Sequence, residues 1–180
     1  MSNVAIVAVT EYPDGVMSTM VSELEKEAAS AGHSVEKTFT VYDKVCGCGG
    51  HCGEDGCGHC EDGGCDDEDC LCKFARKAAS ADDLVFALPI DGSIRMKQVD
   101  RIIDKIVKKS QDTEKRVFLM SCSPSFEADV FAILSERMSN VCSSMGWEYA
   151  GEALVEGIPD ACSGGDPVSR KKARKMAGSL

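Results

Sequence analysis

Asp83 to Ile90 reads DLVFALPI, an apolar run with one charge at its entrance and a proline just before its end. Apolar residues without alternation describe a strand covered on both faces, as in parallel sheets, whereas a strand with one wet face alternates. The same signal recurs outward in both directions. Asn3 to Val9 (NVAIVAV) and Arg116 to Ser121 (RVFLMS) are also continuous apolar runs. Ser34 to Tyr42 alternates Val35, Phe39 and Val41 with polar residues, and Trp147 to Leu154 supplies a last strand. Helical spacing fills the intervals. Val16 to Ala31 carries Val16, Met20, Val21, Leu24 and Ala28 before Gly32 stops it, and a short helix is expected near Lys73 to Ser80. Ile94, Val99, Ile102, Ile103, Ile106 and Val107 share one helical face, as do Phe126, Val130, Phe131, Leu134, Met138, Val141 and Met145. Pro167 to Ala177 closes the series, so five strands alternate with five helices. Right-handed crossovers turn such a series into a doubly wound, five-stranded parallel sheet. Ligands of that architecture sit beyond the carboxyl ends of the strands, which directs attention to Thr10–Thr19, the cysteine-rich loop after the second strand, Pro89–Arg95 and Ser121–Phe126. No glycine-rich dinucleotide fingerprint and no P-loop follows any of the strands.

One segment interrupts this regular pattern. Between the second strand and the second helix stands CGCGGHCGEDGCGHCEDGGCDDEDCLC, holding Cys46, Cys48, Cys52, Cys57, Cys60, Cys65, Cys70 and Cys72, eight of the 11 cysteines in the chain. Thiolates this dense, in backbone made pliable by glycine, mark a metal or cluster site; a disulfide framework spreads its cysteines through the fold. Four thiolates hold either a [4Fe-4S] cluster or a tetrahedral zinc ion, and eight suffice for two sites. His51 and His59 read as loop residues, Cys142 as a small buried hydrophobe and Cys162 as a loop residue. Cys122, after a strand at the ligand edge, is open to a role near a cofactor or to plain packing.

Composition sets the context. The 180 residues suffice for one well-cored domain spanning 1–180, with the cysteine-rich segment 46–72 inserted in it. The formal charge is −10, and from Asp43 to Cys72 nine carboxylates face only Lys44. The basic residues Arg170, Lys171, Lys172, Arg174 and Lys175 fall in the closing helix, near the end its dipole favours, without the aromatic interleaving of a nucleic-acid site. The apolar run Val4 to Val9 is too short to span a bilayer. The expectation is a cytoplasmic protein with no membrane and no nucleic-acid partner, in a compartment that keeps thiols reduced. His33, after Gly32, is expected to be a solvated residue at a helix end. Lys97, Asp100 and Arg101 are expected in an ion pair or a subunit contact.

A first strand ending in a polar loop, the cysteine-rich segment, ADDLVFALPI at 81–90, MKQVDRIIDKI at 96–106 and GWEYAGEALVEGI at 146–158 together resemble the NAD(P)H-dependent FMN reductase and iron-sulfur flavoprotein family. The likeness covers nearly the whole chain. Its most specific part is Ala81, Asp82 and Asp83 leading to Leu88, Pro89 and Ile90, then Met96, Lys97, Asp100 and Arg101. Cys57, Cys60 and Cys65, ahead of an acidic pair, are similar to part of the compact motif by which members bind a [4Fe-4S] cluster; Cys48 or Cys52 would be the fourth ligand. The resemblance implies a flavodoxin-like fold, one [4Fe-4S] cluster or two, and FMN. It also implies electron exchange with NAD(P)H or a redox partner protein, within a homo-oligomer or as a subunit of a redox complex. Thr10, Gly15, Ser18 and Thr19 would surround the FMN phosphate, and Pro89, Asp91, Gly92, Ser93, Ser121 and Ser123 would lie near the ring. No side-chain nucleophile or general base is required.

The chain departs from the family at three places. Thr10, Glu11, Tyr12, Pro13, Asp14 and Gly15 stand where members carry a Ser-x-Arg phosphate loop, so two carboxylates replace an arginine. Asp91 follows Pro89 and Ile90 where an aromatic residue is usual, and Cys122, Ser123, Pro124 and Ser125 replace a glycine-rich flavin loop. A flavin-free electron carrier or assembly subunit, and a zinc-stabilised interaction protein, therefore stand beside the redox-enzyme reading.

Overall fold

The structure, a computed structural model, describes residues 1–9, 14–40, 75, 77–90, 100, 103–104, 106–107, 110, 114–123, 128–158 and 166–180. Five strands, β1 (Asn3–Val9), β2 (Ser34–Thr40), β3 (Asp83–Ala87), β4 (Arg116–Cys122) and β5 (Glu148–Val155), form one sheet in the order β2-β1-β3-β4-β5. Every neighbouring pair is parallel. The helices are α1 (Val16–Ser30), α2 (Ala128–Met145) and α3 (Pro167–Ala177). Ala75 and residues 77–79 are helical between β2 and β3, as are Asp100, Ile103, Asp104, Ile106 and Val107 between β3 and β4. This is the doubly wound order expected of a flavodoxin-like sheet.

The central strands are buried on both faces, which is why their sequences do not alternate. Strand geometry sends successive side chains to opposite sides. Val7, Phe86 and Leu119 pack on one face with Ile103, Ile106 and α2 residues Phe131, Leu134 and Met138. Ile6, Val85 and Met120 pack on the other with Met20 and Leu24 of α1 and Met176 of α3. Full burial of each such Leu, Ile, Met or Phe side chain is worth about 1.5–3 kcal/mol. Cys142 lies within the first layer as a small hydrophobe, 1% exposed, and desolvation pushes its thiol up to about 11.

Local chemistry sets the helix ends. Asp166 caps α3 by accepting from the Ser169 amide at 2.8 Å, Pro167 opens the helix, and Arg174 and Lys175 occupy its last turn. Gly32 takes a φ of 91° after α1, a conformation that suits glycine. His33 departs from expectation: its Nδ1 lies 2.6 Å from the Ser2 hydroxyl and accepts from the Ser2 amide at 3.3 Å, tying the start of the chain to the end of α1. Asp100 forms an ion pair with Arg137 of α2 at 2.7 Å, as an ion-pair role predicts. Glu23 of α1 accepts from Arg174 at 2.9 Å and from Arg170 at 3.2 Å; the Arg174 hydrogen bond holds its carboxyl below the usual value.

Asp83 and Arg116 open β3 and β4 and lie in register. The Asp83 carboxylate is completely buried, and the Arg116 guanidinium meets it at 2.7 Å. The same guanidinium donates to the carbonyls of Ser179 at 2.9 Å and Leu180 at 2.5 Å, so one cation ties two strand starts to the residues after α3. Beside it Lys115 is buried, donating to the carbonyls of Ala81 at 2.6 Å and Ala79 at 2.9 Å; desolvation lowers its pKa.

Removing one partner of a buried pair strands the other charge. Arg116→Met is expected to lower the unfolding free energy by about 3 kcal/mol in urea titration. Lys37→Met, which loses a surface pair with Glu25, is expected to cost less than about 1 kcal/mol.

Candidate functional site

The connection from β1 passes through α1, which packs on one face of the sheet, while helical residues Ile103 and Ile106 after β3 pack on the other. Neighbouring strands whose connections leave to opposite faces part beyond their carboxyl ends and open a crevice. In this chain that switch point lies between β1 and β3.

It coincides with a specific feature of the backbone. The β1–β3 register runs as far as Ala8 and Ala87. Past Ala87 the chain continues to pair with β4: the Leu88 amide donates to Met120 at 2.9 Å and the Ile90 amide to Cys122 at 2.7 Å. Backbone groups alternate sides along a strand, so residue 89 is the one that turns its amide position toward β1. Residue 89 is proline, which has no N–H. A tertiary amide at this position costs no hydrogen bond on the β4 side and removes a donor on the β1 side. Among the described residues, pairing with β4 thus outlasts pairing with β1.

The start of α1 lies at the same edge. Gly15 is its N-cap and is buried, no side-chain cap bond is made among the described residues, and no acidic residue lies in its first turn. Val16, Met17 and Ser18 are buried, Thr19 is half-buried, and the Thr19 amide makes a helical bond to the Gly15 carbonyl at 3.0 Å. A helix N-terminus concentrates amide donors and the positive end of the dipole, the arrangement that receives an anion. Asp14, immediately before it, is exposed.

The β4 end supplies the third wall. Ser121 is completely buried, and its hydroxyl donates to the Leu88 carbonyl at 2.5 Å, a side-chain bond between β4 and the segment leading to Pro89. The Ser123 amide donates to Val155 at 2.9 Å, and its carbonyl accepts from Ile158 at 3.2 Å. Cys122, between the two serines, faces the opposite side and joins the layer containing α1 and α3.

Of the residues singled out from sequence, Gly15, Ser18 and Thr19 stand at the start of α1 after β1, Pro89 follows β3, and Ser121 and Ser123 stand at the end of β4. Thr10, Asp91, Gly92 and Ser93 lie outside the described residues, as do Cys46, Cys48, Cys52, Cys57, Cys60, Cys65, Cys70 and Cys72. Among the described residues, no group of three or more His, Cys, Asp or Glu side chains is placed to hold a metal ion. The sequence reading missed the Leu88 carbonyl as the partner of Ser121; its trace in the sequence is the serine closing an otherwise apolar strand.

No family model and no curated protein matches the chain by sequence. Solved structures do match in fold. The chain is similar to the azoreductase of Bacillus anthracis str. Sterne, with a TM-score of 0.64 at 14% identity, over 100% of each chain. It is similar to the NAD(P)H:quinone oxidoreductase of Methanothermobacter marburgensis, with a TM-score of 0.61 at 15% identity, over 98% of this chain and 92% of that one. It is likewise similar to the two-electron reduced flavodoxin of Megasphaera elsdenii, with a TM-score of 0.57 at 17% identity, over 97% and 98%. The fold is flavodoxin-like.

Ser121→Ala removes the donor that holds the Leu88 carbonyl. It is expected to cost about 1 kcal/mol in urea unfolding and to speed amide exchange at Ile90. Unchanged stability together with unchanged exchange at Ile90 would show that the hydroxyl does not brace this edge.

Proposed function

We propose that the chain is an iron-sulfur flavoprotein-like redox protein, with FMN in the crevice between β1 and β3 and an iron-sulfur cluster held by the cysteine-rich segment 46–72. One observation carries the flavin half: α1 begins, with a buried glycine as its N-cap, at the switch point where the described β1–β3 register reaches its last pair, Ala8 and Ala87. Gly15, Ser18 and Thr19, with Thr10, would hold the phosphate. Pro89, Asp91, Gly92 and Ser93 would flank the ring, with Ser121 and Ser123 bracing the strand ends behind it. FMN supplies the hydride or electron exchange when bound; the residues of the chain orient it and exclude water. The redox names of the structural neighbours support this reading, and NAD(P)H in one of them suits a nicotinamide donor.

Cys57, Cys60 and Cys65, with Cys48 or Cys52, would ligate a [4Fe-4S] cluster, and Cys46, Cys70 and Cys72 complete a set large enough for a second. The carboxylates crowded among them disfavour adding an electron and would lower the potential. In this account residues 1–180 form one domain, working in the cytoplasm as a homo-oligomer or within a redox complex. No helix among the described residues is long and apolar enough to cross a membrane.

Glu11 and Asp14 favour a second reading, a flavin-free electron carrier or assembly subunit, because both stand where a phosphate would need cations. Zinc in the cysteine-rich segment would make the chain an interaction protein instead. Titration of the full chain with FMN separates the first two. Saturable binding is expected, weakened by Glu11 and Asp14, so Glu11→Gln with Asp14→Asn should tighten it by about tenfold at low salt. Absence of binding at high micromolar FMN, in protein whose cluster is intact, would overturn the flavin assignment and leave the electron carrier.

A further inference from the structure

A second concavity lies away from the crevice, between β5 and α3. It has a volume of about 480 Å³ and is lined by Phe118, Gly151, Glu152, Leu154, Lys172, Lys175, Met176 and Ser179. That volume is within the range of small-molecule sites. Phe118, Gly151 and Met176 form an apolar floor, and two lysines three residues apart share the face of α3 above it.

Gly151 creates the space. Its φ lies outside the left-handed range, so the backbone does not require glycine. A Cβ placed there would meet the Phe118 ring at 3.5 and 3.7 Å, ordinary contact distances, so packing does not require glycine either. Glycine weakens a strand interior. The register shift opposite Val117 and Phe118 leaves Ala150 as the extra residue, and Gly151 pairs regularly with Phe118 beyond it. What the missing side chain provides in the structure is room.

The charges around that room are positive. Glu152 lines it with backbone only, because its carboxylate turns to the other face of the sheet and accepts from Ser135 at 2.7 Å and Tyr149 at 3.0 Å. Ser123 donates to the Val155 carbonyl, so the backbone of Leu154 and Glu152, on alternate positions, faces the free edge of β5. Lys172 donates to the Leu154 carbonyl there and retains further N–H donors. Lys175 is exposed beside it.

We propose that this concavity is a binding site for a small organic anion, a carboxylate carried on an apolar body. The carboxylate would meet Lys175 and Lys172 at the rim, and the apolar body would lie against Phe118, Met176 and the bare backbone of Gly151. The site is independent of the flavin assignment, since it lies against the sheet's β5 edge and shares no residue with the crevice.

Octanoate is the probe, with octanamide as its neutral counterpart, titrated into the isotopically labelled full chain and followed by amide shifts. Saturable octanoate shifts at Gly151, Glu152 and Leu154 are expected, with octanamide weaker by about tenfold, the scale of a lost charge-assisted hydrogen bond. Lys175→Gln should weaken octanoate by a similar factor, Lys171→Gln should not, and Gly151→Leu should abolish the shifts by filling the floor. The exposed lysine variants keep the test decisive if the residue 151 variant fails to fold. Non-saturating shifts, equal binding of octanamide, or octanoate binding unchanged by Lys175→Gln would overturn the proposal.

Discussion

The candidate site depends on β3 pairing further with β4 than with β1 among the described residues. Hydrogen bonding to β4 continues to Ile90, while the register with β1 stops at Ala87. A proline at position 89 suits that asymmetry, because the one amide it removes is the one that would have faced β1. The Ser121 hydroxyl adds a further bond on the β4 side, so the segment after β3 is held by one neighbour and released by the other. A parallel sheet with connections leaving to opposite faces provides the place for a crevice, and these residues lie at that place.

The opposite end of the sheet is closed by charge. Arg116 pairs with the buried Asp83 carboxylate and donates to the backbone oxygens of Ser179 and Leu180, and Lys115 donates to carbonyls at Ala79 and Ala81. Buried pairs of this kind cost desolvation, so their value lies in fixing which strand starts meet. The starts of β3 and β4 are therefore pinned together, at the end of the sheet opposite the candidate site. The cations of α3 divide in the same spirit: Arg170 and Arg174 bind Glu23 of α1, whereas Lys172 and Lys175 turn to the cavity beside β5.

The central strands were legible because burial on both faces leaves no ambiguity of period, and β1 runs over Asn3–Val9 as DLVFALPI and its companions implied. The closing helix was legible to the residue, since Asp166 and Pro167 announce its start and Gly178 follows its end. What escaped were relations set by register. Asp83 reads as a charge at a strand entrance, and nothing local says that Arg116 will stand beside it. Gly151 reads as a flaw in a strand until Phe118 is placed opposite. His33 reads as a surface residue because its partner, Ser2, is distant in sequence. At the candidate site, Pro89, Gly15 and the serines were legible as strand and helix ends, whereas the direction of the Ser121 hydroxyl required the fold.

On the proposed reading the fold would hold FMN at the ends of β1 and β3, and iron and sulfide among clustered thiolates whose carboxylate neighbours would lower the potential. The absorption spectrum of full chain purified without oxygen, with iron, acid-labile sulfide and zinc measured on the same sample, tests this most directly. The account predicts brown protein containing iron and sulfide, which acquires a flavin band on addition of FMN. Colourless protein carrying stoichiometric zinc, obtained after expression with ample iron, would contradict it.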